Sequence, residues 1–157
     1  MAYTTLATKG AGSKIDAAWT AAIKANFDEI GDAWTAYTPV VTGTGWVAGN
    51  ATLVGGWIEL DKWVEGRFTI TIGSTTTVGT GAYSITLPKT SAVTNINVGG
   101  ITVFDTSAPA TRQRLMYANT STTCAAQDDS GTFVTGTTPF ALATGDTLKG
   151  RFSYQAT

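Results

Sequence analysis

The chain has 157 residues, and its ten basic and eleven acidic side chains give a formal net charge of −1 at pH 7. This length is sufficient for one domain, and so balanced a charge argues against nucleic acid and anionic membranes as partners. The chain has no histidine, which excludes Ser-His-Asp and Cys-His catalytic sites and histidine-ligated metal sites.

Charged residues make up 13% of the chain, against about 25% in an ordinary soluble domain. Thr, Ser, Gly and Ala take their place, and a surface solvated by hydroxyl groups suits a protein that packs against neighbours. The basic residues are scattered along the sequence, and the pair Arg112 and Arg114 is expected at a solvated strand edge. Cys124 is the only cysteine, which excludes an internal disulfide, and its small neighbours predict a buried, unreactive thiol.

No stretch approaches the 18 or so apolar residues of a transmembrane helix. The first nine residues lack the charged lead and apolar block of a signal peptide. We therefore expect synthesis in a cytoplasm and no membrane partner.

One amphipathic helix is predicted over residues 14–30, after a small polar arm. Ser13 and Asp16 have the spacing of a capping box, and Gly31 is the expected residue after the helix. Apolar residues recur at spacings of three and four and form one stripe. The stripe consists of Ile15, Trp19, Ile23, Phe27 and Ile30, with Ala22 beside it.

Two locations for this stripe remain open. In the first, the helix folds back on the β domain of its own chain. In the second, the helix meets copies of itself and anchors the protein. About two and a half heptads are too short for an independent coiled coil, so the second arrangement needs an oligomeric β domain. The predicted organisation is an arm with an anchoring helix in residues 1–31 and a β domain in residues 32–157.

The β domain is organised around residues 57–88, which predict three antiparallel strands in a meander. From position 62 onward apolar and polar residues alternate, which places one set on the core face. Gly55-Gly56 in the preceding strand predicts a bulge or a close backbone approach, and Trp34 and Tyr37 are expected to bury against the base of the sheet. The predicted core set is Val64, Gly66, Phe68, Ile70, Ile72, Tyr83, Ile85 and Leu87.

Further strands are predicted over 96–105, 112–119, 122–127 and 147–154, with a break at Gly99-Gly100. This gives about eight or nine short strands with turn signals at intervals of roughly 8–12 residues. The predicted fold is mainly β, an antiparallel β-sandwich or jelly-roll-like domain with one N-terminal α-helix.

Carboxylates offer the only route to catalysis that the missing histidine leaves open. Glu59, Asp61 and Glu65 flank the first hairpin, where an acid pair could hydrolyse a glycan. The simpler interpretation, which we favour, is that these acids pair with Lys62 and Arg67 on a solvated sheet surface. We therefore expect no enzyme activity.

Other residues suggest binding rather than catalysis. Residues 128–131, Asp-Asp-Ser-Gly, resemble part of a Ca²⁺ loop but lack its remaining ligands, so a plain turn is predicted and neither a metal nor a cofactor is expected. Trp46, Trp57 and Trp63 lie on or beside the first hairpin and are candidates for stacking on sugar rings. The alternative is burial in the core or in a subunit interface.

Four segments carry a resemblance to a known group of proteins. They are WTAYTP at 34–39, NATLVGGW at 50–57, ITIGSTTTVGTGAYSITLP at 70–88 and TPFALATGDTL at 138–148. These segments resemble parts of tailed-phage structural proteins, in particular minor tail proteins of actinobacteriophages.

The resemblance implies a virion location, homotrimers and a host-facing or capsid-decorating role, and it assigns no catalytic residues. The expected function is thus a homotrimeric structural subunit on a phage tail or capsid, with itself and other virion proteins as partners. The alternative is a receptor- or carbohydrate-binding module of the adsorption apparatus, with a host cell-surface glycan as partner.

Overall fold

The computed structural model describes residues 16–30 and 34–157, with side chains undescribed from 25 to 30. It contains one helix, α1 (Ala17–Ile30), and nine strands, all paired antiparallel in one sheet. The strands are β1 (Thr35–Tyr37), β2 (Val41–Thr42), β3 (Thr52–Leu60), β4 (Trp63–Thr71), β5 (Ser84–Thr86), β6 (Asn97–Asp105), β7 (Ala110–Ala118), β8 (Thr123–Gln127) and β9 (Thr147–Gln155). Their order across the sheet is β1-β3-β4-β9-β6-β7-β8-β5-β2.

The sheet is curled because its two edge strands follow each other in sequence. Tyr37 ends β1 and Val41 begins β2, and four residues span at most about 14 Å. The two edges of a nine-stranded sheet come this close only if the sheet bends back on itself into a half-barrel. The predicted class, mainly β and sandwich-like with one N-terminal helix, is confirmed.

The concave, inner face of the sheet holds the core. Alternate residues of β4 and β9 point into it, and the polar residues between them point outward. The predicted core set is confirmed, with Val64 and Ile70 fully buried and Phe68 3% exposed. The Tyr37 ring packs edge-on against Phe152 in this core, and burial, together with the nearby Cys124, raises the pKa of the Tyr37 hydroxyl.

The predicted meander is wrong in its third strand. The β3–β4 hairpin forms as expected, but the other neighbour of β4 is β9, and β5 pairs with β8 and β2. Residues 73–83 cross to the opposite half of the sheet instead of turning back. The crossing is held by a bridge between Val47 and Thr77 and by a hydrogen bond from the Tyr83 hydroxyl to the Val78 carbonyl.

The glycine and aromatic predictions near β3 are confirmed only in part. The β3–β4 register contains no bulge. The expected close approach does occur, since the Tyr37 ring lies where a side chain at Gly55 would project. Trp34 is not buried at the base; it is 36% exposed and lies on the outer face against Gly56 and Arg67.

The helix is shorter than predicted, 14 residues against about 17. Asp16 is its N-cap, since its carboxylate accepts a hydrogen bond from the Trp19 amide at 2.8 Å. Trp19 and Ile23 are half-buried. Ser13, Ile15 and Gly31 lie outside the described residues, as do the side chains of Phe27 and Ile30. In the described part of the chain no helix is long and apolar enough to cross a membrane.

Candidate functional site

A groove of about 860 Å³ runs across the outer faces of β4, β9, β6 and β7. We call it the outer groove. Its exposed lining consists mainly of side chains that alternate with the core residues of these strands. They are Arg67, Thr69, Thr102, Gln113, Leu115, Lys149 and Arg151, with Gly100 between them and Arg114, Asp128 and Asp129 at one end.

The strand register places three cations together on this face. Arg67 lies directly opposite Arg151, and Thr69 lies directly opposite Lys149. Side chains directly opposite in an antiparallel pair have Cβ atoms about 4.5–5.5 Å apart, and residues two apart on one strand are roughly 7 Å apart. Like charges placed directly opposite destabilise a sheet, so the arginine pair does not serve folding.

Acids compensate these cations only weakly. Glu65 lies 3.9 Å from the Arg151 guanidinium, and both side chains are more than half exposed, so the pair contributes about 0–1 kcal/mol. Arg67 stacks over the Trp34 ring with its Cζ 4.8 Å from the ring centroid. Within residues 16–30 and 34–157, neither Arg67 nor Lys149 has an ion-pair partner.

Gly100 leaves the floor of the outer groove open. It lies opposite Arg151 on one side and Leu115 on the other. A Cβ at this position would meet only the Arg114 carbonyl oxygen, at 3.5 Å. Bare backbone therefore separates the cations from the exposed side chain of Leu115.

Arg114 and a turn of acidic residues close one end of the groove. Arg114 Nη2 lies 3.6 Å from the Asp128 carboxylate, while Arg114 Nε is buried and has no hydrogen-bond partner among the described residues. The other Asp128 oxygen accepts hydrogen bonds from the Ser130 hydroxyl and the Thr132 amide. These bonds lower the pKa of Asp128 and confirm that residues 128–131 form a turn.

The candidate acid pair of the first hairpin does not form. Glu59 lies opposite Val64 on the inner face, whereas Glu65 lies opposite Ile58 on the outer face. The favoured interpretation was wrong about the partners, because Glu59 pairs with Lys89 at 3.3 Å and Glu65 with Arg151. Asp61 adopts φ 55° in the two-residue turn and contributes to neither face.

The three candidate tryptophans do not share one surface. Trp46 is half-buried with its ring edge-on to Tyr83, 5.1 Å between centroids. Trp57 faces inward opposite Gly66, and the Lys89 ammonium lies 5.4 Å from its ring centroid. Trp63 points outward, opposite Leu60, and is 54% exposed.

Cys124 is fully buried, as predicted. Its thiol donates a long hydrogen bond to the Ile85 carbonyl, and burial raises its pKa to about 12. The thiol therefore stays protonated at neutral pH and is unreactive.

Sequence reasoning missed the outer groove because its cations come from opposite ends of the β domain. The sequence does indicate which face these residues occupy, because Arg67 and Thr69 alternate with the core residues of β4 just as Lys149 and Arg151 do in β9. Pairing those two strands would have brought the cations together.

No protein-family model, curated protein or solved structure gives a significant match to this chain. The curled antiparallel sheet and the outer groove are therefore the basis for a functional proposal.

Proposed function

We propose that the chain is a structural subunit of a phage particle, which assembles as a homotrimer on the tail or capsid and is anchored by its N-terminal helix. The resemblance of its segments to tailed-phage structural proteins supports this proposal. A charged fraction of 13% and a net charge of −1 also support it, since copies of such a chain repel one another little.

The observation that carries the proposal is an uncovered apolar end of the β3–β4 hairpin. Leu60 and Trp63 lie opposite each other on the outer face and are 40% and 54% exposed. Exposed apolar side chains that cluster on one surface mark interaction sites.

β1 pairs with Gly55–Trp57 of β3, away from the turn of the hairpin. A second copy of the chain is the occupant that we assign to the apolar end of the hairpin.

Immunogold electron microscopy tests the function. Antibodies against the β domain are applied to particles of the phage that encodes the chain. Gold at fixed positions on tails or capsids is the expected result. Antigen found only among unassembled soluble protein would refute the virion location.

The contact surface has its own test. Leu60→Glu with Trp63→Glu should prevent oligomerisation, because the introduced carboxylates would have to be desolvated. Val47→Glu is the matched control, since Val47 is 58% exposed but lies in the loop before β3. Equal oligomerisation of the double variant and the control would exclude this surface.

A second candidate function is receptor or carbohydrate binding on the same particle. The outer groove favours it. A pull-down of the purified protein on host cell walls tests it: retention supports an adhesin, and passage without retention supports a purely structural subunit.

A further inference from the structure

We propose that the outer groove binds an acidic polysaccharide, whose carboxylate or phosphate groups are held by Arg67, Lys149 and Arg151. This inference deepens the second candidate function, carbohydrate binding in the outer groove, by naming the ligand chemistry. It does not depend on the structural role proposed above, because it concerns one surface of the isolated chain.

The three cations of the groove lie close together on one face of the sheet. Arg67 and Arg151 lie directly opposite each other, and Lys149 is two residues from Arg151 on the same face. Arginine forks bind carboxylate and phosphate groups through paired hydrogen bonds, and lysine adds a point charge. An anionic group above this site would meet three neighbouring cations, of which only Arg151 has an acidic partner among the described residues, the exposed Glu65 at 3.9 Å.

Packing explains these cations only in part, because Arg67 stacks over the Trp34 ring but Arg151 and Lys149 project from the outer face. The Arg151 side chain is 79% exposed, so it covers little of the protein, and juxtaposing it with Arg67 costs stability. Threonine occupies comparable outward positions on the same strands, at Thr69 and Thr147. A residue that is costly where a neutral one would serve indicates a ligand.

The rest of the lining suits a hydroxyl-rich chain. Thr69 and Thr102 offer hydroxyl groups, and Gln113 offers an amide beside them. Leu115, 52% exposed, presents an apolar side chain to the carbon–hydrogen face of a sugar ring. Gly100 keeps the floor open for such a ring, and about 860 Å³ lies within the roughly 300–1,000 Å³ of ligand sites.

The groove does not suit a continuous phosphate backbone. Asp128 and Asp129 line its far end, so a nucleic-acid strand running along it would meet carboxylates after the cations. Net charge −1 also offers no general attraction to nucleic acid. An acidic sugar, whose charges are spaced apart by neutral hydroxyl-bearing rings, fits both ends.

The test measures binding of the purified full chain to four immobilised polymers: hyaluronate, in which carboxylate-bearing and neutral rings alternate, phosphomannan, in which phosphate groups are carried by neutral sugar rings, neutral dextran and duplex DNA. Binding to hyaluronate or to phosphomannan, with none to dextran, is expected, and the preferred polymer identifies carboxylate or phosphate as the anion. Failure to bind either anionic polymer, or tighter binding to DNA, would overturn the proposal.

Variants locate the site. Arg67→Gln with Arg151→Gln should weaken binding at least about tenfold. The thermal melting temperature should change little, because loss of the like-charge pair offsets loss of the Arg67–Trp34 stack and the Arg151–Glu65 ion pair. Lys62→Gln with Arg112→Gln removes the same two positive charges from exposed residues outside the groove and should change affinity less than about twofold. Equal weakening by both would show nonspecific charge attraction and overturn the site.

Lys149→Gln gives an independent check of the third cation. It should weaken binding of the preferred polymer in the folded protein, and retention of full affinity would remove Lys149 from the site. Failure of the groove to bind these polymers would not bear on the proposals of a trimer and a virion location, which have separate tests.

Discussion

Phe68 and Gly150 face each other across β4 and β9, and the phenyl ring occupies the space that a side chain at Gly150 would need. Gly66 and Phe152, two residues further along each strand, form the next inward-facing pair and repeat the arrangement with the roles of the strands exchanged. The two rings stack with centroids 6.4 Å apart and an interplanar angle of 28°. The centre of the core is therefore two phenyl rings packed over two glycines.

This arrangement predicts that Gly150→Ala destabilises the protein. The added methyl group overlaps the Phe68 ring, and overpacking of this kind costs about 1–3 kcal/mol. Gly100→Ala is the matched control, since a Cβ there meets only one atom, at an ordinary contact distance. Urea unfolding of both variants measures the difference, and equal free energies of unfolding would contradict the packing.

Phe68→Ala should lower the free energy of unfolding by about 3–5 kcal/mol, because it removes a large buried ring. Thr69→Ala, one residue on and facing outward, should change it by no more than about 0.5 kcal/mol. Thermal melts compare the two. Similar losses would show that both faces of β4 are buried, as in an interface between subunits.

Acid should weaken the turn after β6. The Asp105 carboxylate accepts hydrogen bonds from the Ser107 hydroxyl and from the Ser107 and Ala108 amides. These bonds lower its pKa below the ordinary 3.8. The stabilisation is present above about pH 4 and is lost as the pH falls through the lowered pKa.

Asp105→Asn keeps an acceptor oxygen but not the charge, so it tests this dependence. The stability difference between native protein and variant should shrink between about pH 6 and about pH 2.5. Urea unfolding at the two pH values measures it. A difference that stays constant would show that ionisation of Asp105 does not contribute.

Local pattern predicted the faces of the strands but not their neighbours. Alternation along β4 was sufficient to place Phe68 and Ile70 in the core. The two-residue turn at Asp61-Lys62 also fixes Glu59 opposite Val64; counting pairs outward from that turn would have separated Glu59 from Glu65, since a shift of one residue changes the face.

The pairing of β4 with β9 has no such local signal. Both strands are buried on one face by the same alternation, and nothing near Arg67 indicates that Arg151 will lie opposite it. The crossing of residues 73–83 was missed for the same reason, because a polar glycine-rich segment fits either a hairpin loop or a connection between halves of the sheet. The outer groove depends on the pairing of β4 with β9, so the sequence alone did not reveal it.

The helix is predicted to anchor the chain and not to complete the β domain. Removal of residues 1–31 should leave the melting temperature nearly unchanged and prevent incorporation into particles. Trp19→Asp with Ile23→Asp should do the same in the full chain, because two charges in the stripe would have to be desolvated. A marked fall in melting temperature on truncation would instead show that the helix packs on its own β domain.

The central claim is that this chain assembles with copies of itself, and its mass in solution tests that claim most directly. Light scattering after size exclusion of the full chain at about 10 μM, a concentration at which stable oligomers remain associated, should give three times the 16.3 kDa of one chain. A single species of 16.3 kDa would contradict the account.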